Sequence, residues 1–389
     1  MKKILPLTLL LSAFMLLGCQ SGNNPSGSND SSKSDGSSHN SSSSEDIDPV
    51  TGDPKNYKGT GTIFEEYLGY NTKDASIFED GDDRYVIYDG QASKEGEQVF
   101  AARKATKVNG KWEYGQKSII LRPTADGWDS MIANPSIVKG EFNYKGTKYS
   151  YLLAYNGNDN NENTNNHIGL AVSNDVLSGW VKVGDKPILK NPSNQEAAYG
   201  YGSPCLLSYD NKGKGYMFYA TGEITVSFGG VRTYDFSNLD EPKLESGYTS
   251  LPVTGLNDGQ DQNIILNAGF AFNSDKSKIY MVKDRLPQST NRPNQSTAVE
   301  VAVADVDILT NHLESWTSLG FINAFNTMDM DDETSLGWDE IYSGDFVTNP
   351  FGVIESTEKL EILYSTYDEE GQNPRYSSTL AMFELDLTA

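Results

Sequence analysis

The sequence predicts an all-β chain folded as a five-bladed β-propeller of four-stranded antiparallel blades, and three observations lead there. Residues 73–90, KDASIFEDGDDRYVIYDG, read as two short strands joined by a tight acidic turn. Variants of this hairpin open near Asn134, Ser203, Asn267 and Gly344, so that successive starts, counted from Asp74, lie 60, 69, 64 and 77 residues apart. A repeat of that length made of short strands is the mark of propeller blades, each sheet burying its faces against its neighbours. Finally, the apolar residues alternate or run in groups of four to six between Gly, Pro, Asn and Asp, and no segment holds a 3.6-residue period for three turns.

Taken in order, residues 1–18 pair two lysines with an apolar run too short to span a bilayer, which reads as a secretory signal. The signal ends in Leu16-Leu17-Gly18-Cys19, which resembles a bacterial lipobox. That resemblance implies cleavage before Cys19, lipidation of its thiol, and an outward-facing protein held to the bacterial cell envelope by lipid alone. Residues 19–49 are dominated by Ser, Asn, Gly and Asp, and this composition cannot build a core. They read as a disordered tether with a random-coil span of roughly 30 Å.

Residues 50–389 are expected to be the propeller. After each first hairpin comes a second: QVFAARKATKVNGKWEYGQKSIIL from Gln98, HIGLAVSNDVLSGWVKVGDKPIL from His167, a looser VRTYDFSNLDEPKLESGYTSL from Val231, and AVEVAVADVDILTNHLESWTSLGFI from Ala298. Two hairpins make one four-stranded blade. The last repeat ends on STLAMFELDL, one strand short, so residues 60–68 are expected to complete its sheet.

Composition narrows the partners. The chain carries 54 acidic against 31 basic residues, a formal net charge of −23, and such a surface repels nucleic acid and anionic polymers. Neutral carbohydrate and cations are its natural partners, and a monomer is expected. With Cys19 spoken for, Cys205 has no partner for a disulfide and reads as a small apolar residue on an inner strand. Three histidines are too few for a histidine-rich metal centre. No cofactor is required by any motif. The acidic run MDMDDE from Met328 and the turn DGDD from Asp80 are candidate Ca²⁺ loops, without EF-hand spacing. No phosphate-binding loop or Ser/His/Asp order is present.

In a propeller the innermost strands converge on the axis, so the residues that open the repeats surround one funnel. Here they are Asp74, Asn134, Ser203, Asn267 and Asp345, all polar. Tyr70, Trp128, Tyr155, Tyr199, Tyr201, Phe270, Trp338 and Tyr342 lie in or beside the segments leading into inner strands. A polar floor under aromatic walls suits a sugar ring, whose hydroxyls need hydrogen bonds and whose C–H faces need an aromatic surface. Trp128, Tyr155, Tyr201 and Trp338 are the expected walls.

DASIFEDGDDRYVIYDG resembles the first blade of glycoside hydrolase family 43 and its relatives, and HIGLAVSNDVLSGW resembles a strand of those families that ends in Ala-x-Ser before a Trp. The resemblance covers residues 60–389 at the level of blades. It implies a five-bladed propeller that hydrolyses arabinose-, xylose- or fructose-containing glycans with three carboxylates: a base in the first blade, a pKa-modulating Asp, and a Glu acid. Asp74 matches the base, with Ala75 in place of the usual Pro. Asn134-Pro135 and Ser203-Pro204 stand where the modulating Asp is expected, and Asn267-Ala268-Gly269 where the acid is expected. Substitute carboxyls are Glu340, Asp261 and Glu196 in the segments before inner strands, together with Asp345. Two readings follow: a glycosidase with Asp74 as base, or a non-catalytic glycan-binding lipoprotein that uses the same funnel. A purely structural propeller would have that funnel plugged, and residues 156–166 and 288–296 are long enough to do so.

Overall fold

A computed structural model describes residues 57–64, 72–93, 96–159, 164–192, 198–223, 226–245, 249–256, 265–285, 296, 298–311, 313–323, 340–367 and 378–388. Five antiparallel sheets follow one another in chain order, four or five strands to each. The first holds β2 (Lys73–Asp80), β3 (Asp83–Gln91), β4 (Gln98–Val108) and β5 (Lys111–Tyr114), with β6 (Ser118–Leu121) also on β4. The second is β7 (Met131–Tyr144), β8 (Thr147–Asn158), β9 (His167–Ser173) and β10 (Val181–Lys182). The third is β11 (Gly200–Ser208), β12 (Lys214–Glu223) and β13 (Val226–Asp235), its edge divided between β14 (Lys243–Leu244) and β15 (Thr249–Ser250). The fourth is β16 (Gly269–Phe272), β17 (Lys278–Asp284), β18 (Ala298–Asp305) and β19 (Thr317–Asn323). The fifth is β20 (Glu340–Phe346), β21 (Lys359–Tyr367) and β22 (Thr379–Asp386). Among the described residues the sole helix is one 3₁₀ turn, Val306–Leu309.

The fifth blade is completed by β1 (Tyr57–Thr62), which runs antiparallel to β22. The closing strand therefore lies a few residues earlier than the 60–68 expected from sequence. Its end is fixed by Phe64, whose ring leaves the sheet and packs 5.4 Å from both Tyr88 and Tyr114 of the first blade, under the Arg103 guanidinium. The Ile63 N–H still donates to the Leu380 carbonyl, the last rung before the chain departs.

Burial follows the blade pattern. Five apolar clusters fill the five interfaces between adjacent sheets, for example Phe218, Phe270 and Met281 between the third and fourth blades. Alternation along a strand sends successive side chains to opposite faces, so each middle strand feeds two clusters. In four blades a tyrosine on the second strand faces Gly or Ala on the third: Tyr88 and Ala101, Tyr155 and Gly169, Tyr219 and Gly230, Tyr364 and Ala381. In the fourth blade that pair is Lys283 and Glu300, both fully buried and 3.4 Å apart.

One end of the axis is sealed. Past β20, residues 348–352 cross the axis and offer one carbonyl to the inner strand of each other blade. Glu79 N–H donates to Thr348 O (2.8 Å), Lys139 N–H to Pro350 O (2.7 Å), Ser208 N–H to Phe351 O (3.1 Å) and Phe272 N–H to Gly352 O (2.9 Å). Asn349 shapes the crossing, its Oδ1 accepting from the Phe351 and Val353 N–H groups. The crossing comes from blade five; of the expected plug segments 156–166 and 288–296, residues 160–163 and 288–295 lie outside the described residues.

Gly352 sits at φ +81°, and a Cβ there would come within 2.4 Å of the Leu207 side chain. Gly352→Ala is expected to cost about 2 kcal/mol from backbone conformation and crowding, read as a lower denaturation midpoint with an unchanged denaturant slope. An unchanged midpoint would show that the crossing does not fasten the ring.

Candidate active site

At the open end of the axis the five inner strands begin alike. Asp74, Asn134, Ser203, Asn267 and Ser343 hold φ values of 48°, 53°, 47°, 44° and 51°, all in the left-handed region that side chains with a Cβ rarely enter. In blades one, two, three and five the ladder slips at this point, between Lys73 and Ser76, Ala133 and Ser136, Gly202 and Cys205, and Tyr342 and Asp345. Such a bulge bends the strand toward the axis and leaves a backbone N–H out of the ladder. The fifth start is thus Ser343, two residues ahead of Asp345. Spacing alone missed it because the Asp is the more conspicuous residue.

Three of these N–H groups are taken up by neighbouring blades. Asn134 N–H donates to Asp89 Oδ1 (3.1 Å), Ser343 N–H to Asp284 Oδ1 (2.7 Å), and Asp74 N–H to Ser365 Oγ (2.8 Å). Asp89, Asp284 and Ser365 occupy one repeat position, the second-strand residue opposite the one that precedes the start. The same position holds Asn156 and Ala220 in the other two blades. A second tier lies deeper: Ile77 N–H donates to Asp345 Oδ2 (3.3 Å) and Leu206 N–H to Ser136 Oγ (2.9 Å). Gly269 leaves room for Asp345, since a Cβ there would lie 2.9 Å from its Oδ1.

Residues 74–76, 134–136, 203–205, 267–269 and 343–345 line an axial cavity of about 40 Å³. A space of that size admits a few waters, so a sugar ring has to sit above it, at the mouth. The mouth is charged. Lys73 Nζ pairs with Asp74 Oδ2 at 2.9 Å, and that carboxylate raises the lysine pKa. Asp89, 1% exposed, is pushed well above the usual carboxylate range by burial and by the nearby charge of Asp74. Burial also pushes Asp284 up to about 7, although Ser343 N–H and Asn267 Nδ2 (2.8 Å) donate to its two oxygens. The hydroxyl of Ser203 donates to Asn267 Oδ1 (2.9 Å), and the Tyr199 hydroxyl rests on Ser203 (3.4 Å). Burial raises the Tyr199 pKa, as do the nearby charges of Asp74 and Asp284.

Of the residues expected at the funnel, Asp74, Asn134, Ser203 and Asn267 stand in one ring, and Asp345 lines the cavity one tier below. Burial lifts Asp345 to about 7. Three of the four expected aromatic walls are placed elsewhere. Tyr155 is buried between blades one and two, donating its hydroxyl to Asp129 (2.9 Å), and Trp128 stacks on it at 5.9 Å. Tyr201 packs against Tyr219 beside the core between blades two and three. Glu196, Asp261, Trp338 and Cys19 lie outside the described residues, and of Glu340 only the backbone, at the head of β20, is described. Sequence reasoning passed over Lys73, Asp89 and Asp284. The signal was there: YVIYDG and IYMVKD end their second strands with Asp at the same repeat position.

Among the described residues no group of three or more His, Cys, Asp or Glu side chains converges on a point where a metal ion would fit. At the DGDD turn, Asp80 is engaged by Lys139 and the Tyr151 hydroxyl, and Asp83 by Lys104. The run from Met328 lies outside the described residues.

No protein-family model matches the chain, and no curated protein matches it in sequence. Solved structures do. A family 117 glycoside hydrolase of the marine bacterium Zobellia galactanivorans superposes with a TM-score of 0.55 at 12% identity, covering 86% of this chain and 91% of that one. The α-L-arabinofuranosidase PaAbf62A of Podospora anserina, solved with cellotriose, gives 0.51 at 10% identity over 84% and 96%. A thermostable family 43 glycoside hydrolase gives 0.50 at 13% over 82% and 91%. The chain has the five-bladed fold of these hydrolases.

The raised carboxyls make a prediction about stability. Asp284 and Asp345 hold protons in the folded state that the unfolded chain releases at about pH 4, so their contribution is present in acid and is lost as pH rises through about 7. His167, lowered by burial, acts in the opposite sense, since its contribution grows as pH rises through about 6.5. Asp284→Asn is therefore expected to improve in melting temperature relative to the parent between about pH 4 and pH 7. Parallel curves for the two proteins would show that Asp284 is not a proton holder.

Proposed function

We propose that the protein is a glycoside hydrolase-like enzyme of the cell surface, lipid-anchored through Cys19, acting on neutral arabinose-, xylose- or fructose-type glycans with Asp74 as the base. One observation carries this reading: the carboxylate at the head of the first inner strand stands at the open end of a blind axial channel, ion-paired with Lys73 and flanked by the buried carboxyl groups of Asp89 and Asp284. The glycoside hydrolases that share the fold, one of them solved with cellotriose, support it. So does the formal charge of −23, which turns away anionic polymers.

Hydrolysis needs a carboxylate to activate water or attack, and a carboxyl group to protonate the departing oxygen. Asp74 has the first role in this reading. For the second, Asp284 carries a proton near neutrality, and Glu340, Asp261 and Glu196 belong to segments that lead into inner strands. A second reading, glycan capture without cleavage, is favoured by the ring itself, where Asn134, Ser203, Asn267 and Ser343 present amides and hydroxyls.

Release of reducing sugar from arabinan, xylan and fructan separates the two. The purified protein is expected to release sugar from at least one of them, and Asp74→Asn to lower that rate by about 10²- to 10⁴-fold, the range for loss of a general base. Saturable binding with no turnover by the parent would sink the hydrolase and leave the capture protein.

A further inference from the structure

Consecutive residues of a strand point to opposite faces, so the side chains of neighbours are normally kept apart. At the head of the first inner strand that rule is broken. Asp74 has φ 48°, the ladder slips after Lys73, and the Lys73 Nζ lies 2.9 Å from Oδ2 of the very next residue. The Asp74 side chain is 6% exposed and that of Lys73 27% exposed, so the carboxylate is nearly out of reach of bulk water while the ammonium still meets it. A charge so withdrawn from water is retained only with a partner, and Lys73 is that partner.

The pairing is particular to this blade. Ala133, Gly202, Leu266 and Tyr342 precede the other four heads, and none of them is basic. Asp74 is also the one carboxylate among the heads. The acidic head and the basic residue before a head therefore coincide in a single strand. Asp74 is held at a second point as well, since its N–H donates to Ser365 Oγ of the fifth blade (2.8 Å). Lys73 in turn stands across the ladder from Asp89. The charge of Asp74, followed by those of Tyr342 and Asp89, raises the Lys73 pKa against the effect of burial, and Tyr199 feels the ammonium from the third blade.

We propose that Lys73 is a positioning residue of the site: its ammonium grips Asp74 by Oδ2, supplies the counter-charge that burial demands, and fixes the direction in which that carboxylate faces the mouth. Tied by its N–H to Ser365 and by its side chain to Lys73, Asp74 has little freedom to turn. A base held in this way meets its substrate already oriented. The role rests on the reading of Asp74 as the base, but the pair itself does not.

The pair is tested by ¹³C NMR of lysine-labelled protein, titrated through about pH 10.4, where ordinary lysines lose their protons, with Lys73 assigned by Lys73→Arg. Lys73 is expected to hold its proton at least about one pH unit beyond the others, and to fall back toward them in Asp74→Asn. A Lys73 that titrates with the rest, or that is indifferent to Asp74→Asn, overturns the pair. The role is tested by kinetics on a cleaved glycan. Lys73→Met is expected to lower kcat by about 10- to 10²-fold with KM little altered, while Lys73→Arg, which keeps the charge, retains most of the rate. A higher KM with kcat unchanged would make Lys73 a substrate-binding residue, and a higher kcat would make the pair an obstruction; either result overturns the role. Lys73→Met leaves a buried carboxylate unpaired, so its melting temperature is read alongside. Should it fail to fold, Lys73→Gln, which keeps a donor for Oδ2 without the charge, takes its place with the same expected loss in kcat. If the parent cleaves no glycan, the NMR result still decides the pair, so failure of the enzymatic reading stays separate.

Discussion

A ring of five sheets has to be fastened where the strands crowd together, and there the backbone itself creates the need. Each inner strand is entered through a residue with positive φ, and in four of the five blades the ladder slips there, taking an N–H out of its own sheet. A buried N–H without a partner costs free energy comparable to a lost hydrogen bond, so the next sheet must supply an acceptor. Asp89, Asp284 and Ser365 are those acceptors in three of the five junctions. Two of the three are carboxyls, and once buried at the mouth of the channel they acquire raised pKa values and proximity to Asp74. The groups with chemical potential at this site thus begin as structural necessities. A carboxyl accepts more strongly than a hydroxyl, but it brings a charge that burial then opposes.

The architecture was legible because it is periodic. Alternating strands, turn residues and the recurrence of KDASIFEDGDDRYVIYDG specify sheets of one kind repeated around an axis, and the missing strand of the last repeat required the closing strand found at Tyr57–Thr62. Asp74, Asn134, Ser203 and Asn267 were legible as ring heads because each opens its repeat. Ser343 was not, since a hydroxyl two residues before Asp345 gives no compositional signal. Asp89 and Asp284 were hidden for a different reason. They end strands that read as ordinary Tyr-rich partners, and only the register brings them beside the next blade. The aromatic residues misled in the opposite way. Tyr155 and Trp128 are near inner strands in sequence, but alternation turns Tyr155 into the interface, where Trp128 covers Gly157 and Gly169.

The fourth blade departs from its siblings in the interior. Where the others set a tyrosine over a small residue, it buries Lys283 against Glu300, and the lysine also donates to the Asp284 carbonyl. A buried ion pair of this kind contributes little net stability, yet removing one partner is costly. It stands immediately beside Asp284, so the charge of Lys283 acts on that carboxyl and opposes the effect of burial.

The crossing at residues 348–352 and the strand β1 both belong to the final sheet. Tyr57 pairs with Leu385, nearly the full length of the folded chain away, and the four carbonyls that tie the other inner strands emerge only after those sheets have been made. During synthesis the first four blades are consequently an open arc with two unpaired flanks, the kind of exposed edge that invites association with other chains. Closure is a single late event of high contact order, slow relative to the formation of any one hairpin. The interval between the two is when this chain depends on being kept apart from its neighbours.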